Sequence, residues 1–228
     1  MTRRTNARVA GVTFLVYIAA GITTLMLSGR ATAGQGIPAK LASVGQHTTE
    51  MGVVVVLSLL MGFCALTLGV TLYSITREQD PDLAMMGLVC RVIEAGAAGI
   101  STTLGLIWLA TASGPGAPDG DTARVLGALF LRPEGSTGAI FFAVASTLFS
   151  WLLLRGRMVP TALARLGVFA SVLLVIVLPL QLAGFFGGDM SWFTGATWLV
   201  WLPALVFEVW LALWLIIKGV ATPTLVRR

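Results

Sequence analysis

The chain has 228 residues, of which 57% are hydrophobic and only 11% are charged, and its mean hydropathy is +0.90. Soluble domains carry about 25% charged residues, so this composition excludes a water-soluble globular fold. The net charge of +5 does not indicate nucleic-acid binding, because the lysines and arginines are scattered among the ends of apolar segments. We therefore expect an integral membrane protein with no nucleic-acid partner.

Six mostly uncharged segments have the length of membrane-spanning helices. A helix rises ~1.5 Å per residue, so about 20 residues cross the ~30 Å hydrocarbon layer of a bilayer. The first segment stays uncharged from Val9 to Gly29, which is long for a cleaved signal peptide, and we interpret it as a retained helix. The sequence predicts an all-α, polytopic bundle that forms a single domain over residues 1–228, with spans at about 9–28, 51–76, 84–112, 136–154, 166–186 and 196–217.

The distribution of positive charge predicts the orientation. With both termini inside, ten lysines and arginines lie in cytoplasmic segments and four in outer loops. The positive-inside rule favours this arrangement. We expect cytoplasmic N and C termini and a multi-pass location in the cell (plasma) membrane. The outer loops contain two weak helical patterns, at 38–46 and 121–131.

Charged residues deep inside an apolar span are the strongest functional feature of the sequence. Arg91 and Glu94 lie one turn apart in the third span, and Glu208 lies in the sixth. Counted from the cytoplasmic helix ends, each glutamate is roughly 15 Å deep. A carboxylate facing lipid at that depth costs at least ~2.5 to 3.5 kcal/mol, so we expect one polar cluster of these three residues inside the bundle.

The third span also carries a stripe of polar and small residues at three- and four-residue spacing. It runs from Arg91 and Glu94 through Ala98 and Ser101 to Gly105. Such a stripe permits close helix packing or lines a cavity. We therefore include Ser101 with the charged cluster as a candidate residue for binding a ligand or for proton-linked chemistry.

Two interpretations of the cluster remain open. In the first, it is the proton-linked or ligand-binding site of a small transporter or binder, whose partners are membrane lipid, a small or lipophilic molecule and further copies of the chain. In the second, it is a structural salt bridge between the third and sixth spans of a non-catalytic partner or assembly protein. A buried ion pair is compatible with both, because its net contribution to stability can be small.

The sequence contains few residues that could form a catalytic or metal-binding site. His47 is the only histidine, and it lies three residues before Glu50 at the outer end of the second span. A zinc site needs three or four ligands, so we expect no metal. The sequence contains no Gly-x-Ser-x-Gly nucleophile motif. We expect no cofactor and regard catalysis as the less favoured alternative.

Several short motifs resemble an uncharacterised bacterial membrane family, domain of unknown function 4386. They include Arg8-Val9-Ala10-Gly11 in the first span, Arg91-Val92-Ile93-Glu94 in the third, and Pro203, Glu208, Leu213-Trp214-Leu215 and Lys218-Gly219 in and after the sixth. The resemblance implies six helices and no established activity. It places the family's charged motif positions on the same Arg91, Glu94 and Glu208.

Overall fold

A computed structural model describes residues 2–113, 125, 135–185 and 196–222. Within these residues the chain forms seven helices and no strand, and six of the helices are long and apolar enough to cross a membrane. The predicted all-α architecture with six spans is therefore confirmed. The helices are α1 (Arg3–Ala31), α2 (Gly36–Gln46), α3 (Thr48–Thr76), α4 (Pro81–Ser113), α5 (Gly135–Arg155), α6 (Thr161–Leu182) and α7 (Ala196–Ile217); all except α2 are spans.

Five of the six spans begin earlier than their predicted bounds: α1 at Arg3, α3 at Thr48, α4 at Pro81, α5 at Gly135 and α6 at Thr161. In α1 and α4 a polar residue caps the helix start. The Thr2 side chain accepts a hydrogen bond from the Thr5 backbone N–H at 3.2 Å and starts α1 ahead of residue 9. Asp80 Oδ1 accepts from the Leu83 N–H at 3.2 Å, and Pro81 occupies the first position of α4 ahead of residue 84. Both are ordinary helix starts, in which a side-chain oxygen satisfies an N–H that has no partner within the helix.

The fifth span, in contrast, ends before the predicted residue 186. Gly184 has φ +85°, the left-handed conformation that terminates helices, and the Phe185 N–H bonds back to the Leu180 carbonyl at 3.1 Å. Hydropathy does not detect this stop, because Ala183 to Phe185 carry no charge and continue the apolar segment. Helix α6 therefore ends at Leu182.

A short helix lies at the end of the bundle that we predict to be extracellular. The predicted segment 38–46 forms the greater part of α2. A Cβ atom at Gly45 would lie 3.3 Å from the Ala112 carbonyl oxygen, so α2 packs close to the last residues of α4. The second predicted outer helix, 121–131, lies outside the described residues apart from Val125.

The six spans form a closed ring. Each span packs against its neighbours in chain order, and the last, α7, packs against the first, α1. Helices α3 and α5 also touch each other alongside α4. In this ring α4 and α7 face each other from opposite sides. We call the end that holds the start of α1, the α3–α4 turn, the α5–α6 turn and the end of α7 the basic end.

The ring closes where α1 meets α7 at Gly11. A Cβ atom at this position would lie 2.6 Å from the Ala212 carbonyl oxygen and 2.7 Å from the Ile216 side chain. Both distances are shorter than real Cβ contacts, and the first involves backbone that cannot turn aside. Glycine at position 11 therefore allows the first and last spans to approach each other, as small residues commonly do between membrane helices.

Candidate functional site

The three charged residues of the third and sixth spans all point into the ring. Arg91, Glu94 and Glu208 have relative exposures of 1%, 5% and 7%. Arg91 lies ten residues after Pro81, where α4 starts, and Glu208 lies nine residues before Ile217, where α7 ends. At ~1.5 Å per residue, these positions are both about 14 to 15 Å from the basic end. Arg91 and Glu208 therefore lie at one level on opposite walls. Glu94, thirteen residues after Pro81, lies about 20 Å from the basic end, so the two glutamates are not at the equal depth that we expected.

Arg91 and Glu94 form an ion pair within α4. Arg91 Nη1 donates to Glu94 Oε2 at 3.0 Å and to Oε1 at 3.3 Å. Residues three apart face the same side of a helix, which explains why this pair forms locally. The structural interpretation expected a salt bridge between the third and sixth spans, and that expectation is wrong in this respect. The ion pair itself does not join α4 to α7.

Two residues that the sequence analysis missed connect this pair to neighbouring spans. The Tyr17 hydroxyl on α1 donates to Glu94 Oε1 at 2.7 Å, and Arg91 Nη2 donates to Ser146 Oγ on α5 at 3.1 Å. A hydrogen-bonded chain thus runs from α1 through α4 to α5. Tyr17 is one of only two tyrosines and lies in an apolar span, which was the available indication. Nothing in the sequence distinguishes Ser146.

An aromatic layer covers the cluster on the side away from the basic end. The rings of Tyr17 and Phe142 stack with their centroids 6.2 Å apart, and Trp201 lies 6.0 Å from Phe142. Arg91 Cζ lies 4.8 Å from the centroid of the Phe142 ring, within the range of a cation–π interaction. These aromatic side chains come from α1, α5 and α7 and pack against each other inside the bundle.

Glu208 is placed differently from Glu94. Its carboxyl group is close enough to interact electrostatically with Arg91 and Glu94. Its Oε1 atom is nevertheless buried, with no hydrogen-bond partner among the described residues. Buried polar atoms are nearly always hydrogen-bonded, and an unpartnered one marks strain, function or a solvent molecule. Glu208 is therefore the least satisfied carboxyl group of the cluster.

Ser101 lies apart from these residues. It is half-buried on α4, seven residues beyond Glu94, which corresponds to about 10 Å along the helix axis. The contacts of the cluster are formed by Tyr17, Phe142 and Ser146 instead. A role for Ser101 in binding a ligand remains a prediction.

A small cavity borders the cluster on the side toward the basic end. It is lined by Arg91, Ser146 and Ser150 together with apolar side chains, among them Phe149 and Phe207. Its space is about enough for one water molecule. Arg91 Nε is buried with no partner among the described residues. A water molecule, rather than a bulky ligand, suits a space of this size and polarity.

The described residues hold no group of three or more histidine, cysteine, aspartate or glutamate side chains that could bind a metal ion. His47 Nδ1 lies 2.9 Å from the Ser43 carbonyl oxygen at the junction of α2 and α3. The imidazole is therefore engaged with the backbone of the preceding helix. It lies at the far end of α3 from the charged cluster.

Family comparison agrees with the motifs in the spans. The profile of a family described as a domain of unknown function, DUF4386, matches residues 9–219. The chain belongs to the DUF4386 family. The matched DUF4386 region contains all six spans except the first residues of α1, and it includes every residue of the cluster. The chain matches no curated protein and no solved structure.

The Tyr17 hydrogen bond can be measured with a matched control. We expect Tyr17→Phe to lower the free energy of unfolding by about 0.6 to 1.7 kcal/mol, the range found for hydrogen bonds between membrane helices. Denaturant or thermal unfolding in detergent measures this change. Tyr73→Phe removes the only other tyrosine hydroxyl and should have a smaller effect, because the recorded contact of Tyr73 is that of its ring with Arg77. Equal losses in both variants would contradict a stabilising bond to Glu94.

Proposed function

We propose that this DUF4386 protein is a small transporter of a bacterial cell membrane, in which Glu208 takes up and releases a proton. The observation that carries the proposal is the buried Glu208 Oε1, which has no hydrogen-bond partner in the described part of the chain. Intramembrane ionisable residues commonly mark substrate or proton pathways.

Charge balance supports this role. The cluster contains one guanidinium and two carboxyl groups, and Arg91 is already paired with Glu94. A proton on Glu208 leaves the cluster neutral, whereas loss of that proton leaves one net negative charge in the interior. Arg91, Glu94 and Tyr17 all interact electrostatically with Glu208. Movement of the proton on α7 therefore changes the electrostatic potential at residues of two other spans, α1 and α4.

The surroundings of the cluster favour a proton over a bulky ligand at this level. The Tyr17, Phe142 and Trp201 rings cover the outer side, and the cavity beside Arg91 has space for about one water molecule. A water molecule there could pass a proton between the cluster and the basic end.

The direct test is proton flux into vesicles. Full-length protein is reconstituted into liposomes that contain the pH-sensitive dye pyranine, and acid is added outside. We expect wild-type protein to acidify the interior faster than protein-free vesicles, and Glu208→Gln to return the rate to that of protein-free vesicles. Glu78→Gln removes an exposed carboxylate paired with Arg3 at the basic end and should leave the rate unchanged.

Folded Glu208→Gln protein with the wild-type rate would exclude the proposal, as would a wild-type rate no higher than that of protein-free vesicles. Size-exclusion chromatography and thermal unfolding establish that the variant is folded. Gln has nearly the same shape as Glu, so the substitution removes the titrating group with little change in packing.

A non-catalytic partner or assembly protein is the second candidate. It is favoured by the Arg91–Glu94 pair, whose hydrogen bonds connect α1, α4 and α5 and which therefore has a structural role independent of Glu208. Under this alternative the chain works as a homo-oligomer or with another membrane protein. It predicts that cluster substitutions lower stability, while proton flux stays at the level of protein-free vesicles in every variant.

A further inference from the structure

We propose that one side of the basic end binds the headgroups of anionic phospholipids. Five cationic residues form this surface, which we call the basic arc: Arg4, Arg8, Arg157, Arg165 and Lys218. All five are exposed, and none has an ion pair with a described residue. They lie on α1, in the α5–α6 turn, near the start of α6 and at the residue after α7. Helices α1, α7 and α6 are consecutive neighbours in the ring, so the basic arc is continuous.

The basic arc lies where headgroups meet the outside of the bundle. Arg8 is followed on the exposed face of α1 by Val12, and Arg165 is followed on α6 by the exposed Phe169. Lys218 directly follows the exposed Ile217. Each cation therefore ends an apolar strip that faces the hydrocarbon layer. Lysine and arginine in this position extend their charge to the phosphate level.

Acidic residues are concentrated elsewhere at the same end. Glu78, Asp80 and Asp82 all lie in or beside the α3–α4 turn. Glu78 pairs with Arg3 and Asp80 with Arg155, each at 3.4 Å. Within the described residues, α1, α6, the α5–α6 turn and the segment 218–222 contain no acidic side chain. The positive potential is therefore strongest on the α1–α7–α6 side rather than evenly spread around the ring.

The C-terminal segment keeps two members of the basic arc in place. The Ala221 N–H donates to the Met158 carbonyl at 2.9 Å, which holds the chain after α7 against the α5–α6 turn. Arg157 in that turn has φ +50°, the left-handed conformation that glycine adopts with less strain. An arginine at a position that suits glycine indicates that its side chain, rather than its backbone, is useful there. Anionic headgroups supply the missing negative partner.

Lipid titration followed by native mass spectrometry tests the proposal. Detergent-purified full-length protein is titrated with dioleoyl-phosphatidylglycerol or dioleoyl-phosphatidylcholine. Each cation near an anionic surface contributes roughly a fivefold change in binding, so we expect wild-type protein to prefer phosphatidylglycerol by about tenfold or more. A triple variant with Arg8→Gln, Arg165→Gln and Lys218→Gln should lose most of this preference. The preference should also fall at high salt, because exposed charges are screened.

A matched triple variant provides the control. Arg30→Gln, Lys40→Gln and Arg77→Gln remove the same charge from positions outside the basic arc, and the preference should change less than about twofold. Arg157→Gly gives a second variant that suits its backbone conformation and should weaken phosphatidylglycerol binding without loss of stability. An equal loss in the control triple variant would overturn the proposal. Unchanged phosphatidylglycerol binding in both arc variants, or its displacement by equimolar inorganic phosphate, would do the same.

Discussion

Arg91→Met is expected to lower the free energy of unfolding by roughly 3 to 5 kcal/mol, because it leaves Glu94 unpaired in a water-poor interior. The substitution removes both hydrogen bonds to Glu94, the bond to Ser146 and the contact with the Phe142 ring. Thermal or denaturant unfolding of the purified protein in detergent measures the change. A loss of this size identifies the ion pair as part of the framework of the bundle.

Arg155→Met is the matched control for this prediction. Arg155 also pairs with an acid, Asp80 at 3.4 Å, but its side chain is 30% exposed at the basic end. Exposed ion pairs contribute about 0 to 1 kcal/mol, so Arg155→Met should lower the free energy of unfolding only slightly. The double variant Arg91→Met with Glu94→Met should recover part of the loss, because no unpaired charge then remains. Equal effects of Arg91→Met and Arg155→Met would contradict the proposed buried pair.

Phe149→Ala should be the most damaging apolar substitution beside the cluster. Phe149 is 2% exposed, and its ring would lie 2.9 to 3.1 Å from a Cβ atom at Gly87 on α4. In a bilayer the transfer of apolar surface from water is absent, but the cost of an unfilled cavity remains, so we expect a loss of roughly 2 to 4 kcal/mol. The substitution also enlarges the space next to Arg91, because Phe149 lines the existing cavity.

Phe169→Ala tests whether burial causes this loss. Phe169 lies on α6 with 62% exposure on the outside of the ring, where lipid can replace the missing ring. Phe169→Ala should therefore lower the free energy of unfolding much less than Phe149→Ala does. Unfolding of both variants in the same detergent gives the comparison directly. If the two losses were similar, the contact between Phe149 and Gly87 would not be a principal source of packing energy.

The number and approximate location of the spans could be predicted, because hydrophobic length is read directly from the chain. Depth could be estimated only approximately. The two glutamates were expected at one level, but α4 begins at Pro81 rather than at residue 84, so Arg91 instead of Glu94 lies level with Glu208. The inward direction of Arg91, Glu94 and Glu208 could be predicted as well, because a charge facing lipid is costly. The order of the helices in the ring could not be predicted. Hydropathy does not show that α4 and α7 stand on opposite walls, or that Tyr17 and Ser146 face Arg91 and Glu94. These contacts depend on close packing between helices that are distant in sequence.

The close contact between α1 and α7 at Gly11 has a consequence for biogenesis. A ribosome delivers α1 to the membrane first and α7 last, so the seam between them can form only after the final span has left the insertion machinery. Until then Glu208 is absent, and α1, which carries Tyr17, packs against α3 but not yet against α7. Insertion of the final span therefore completes both the wall of the bundle and its charged interior in one step.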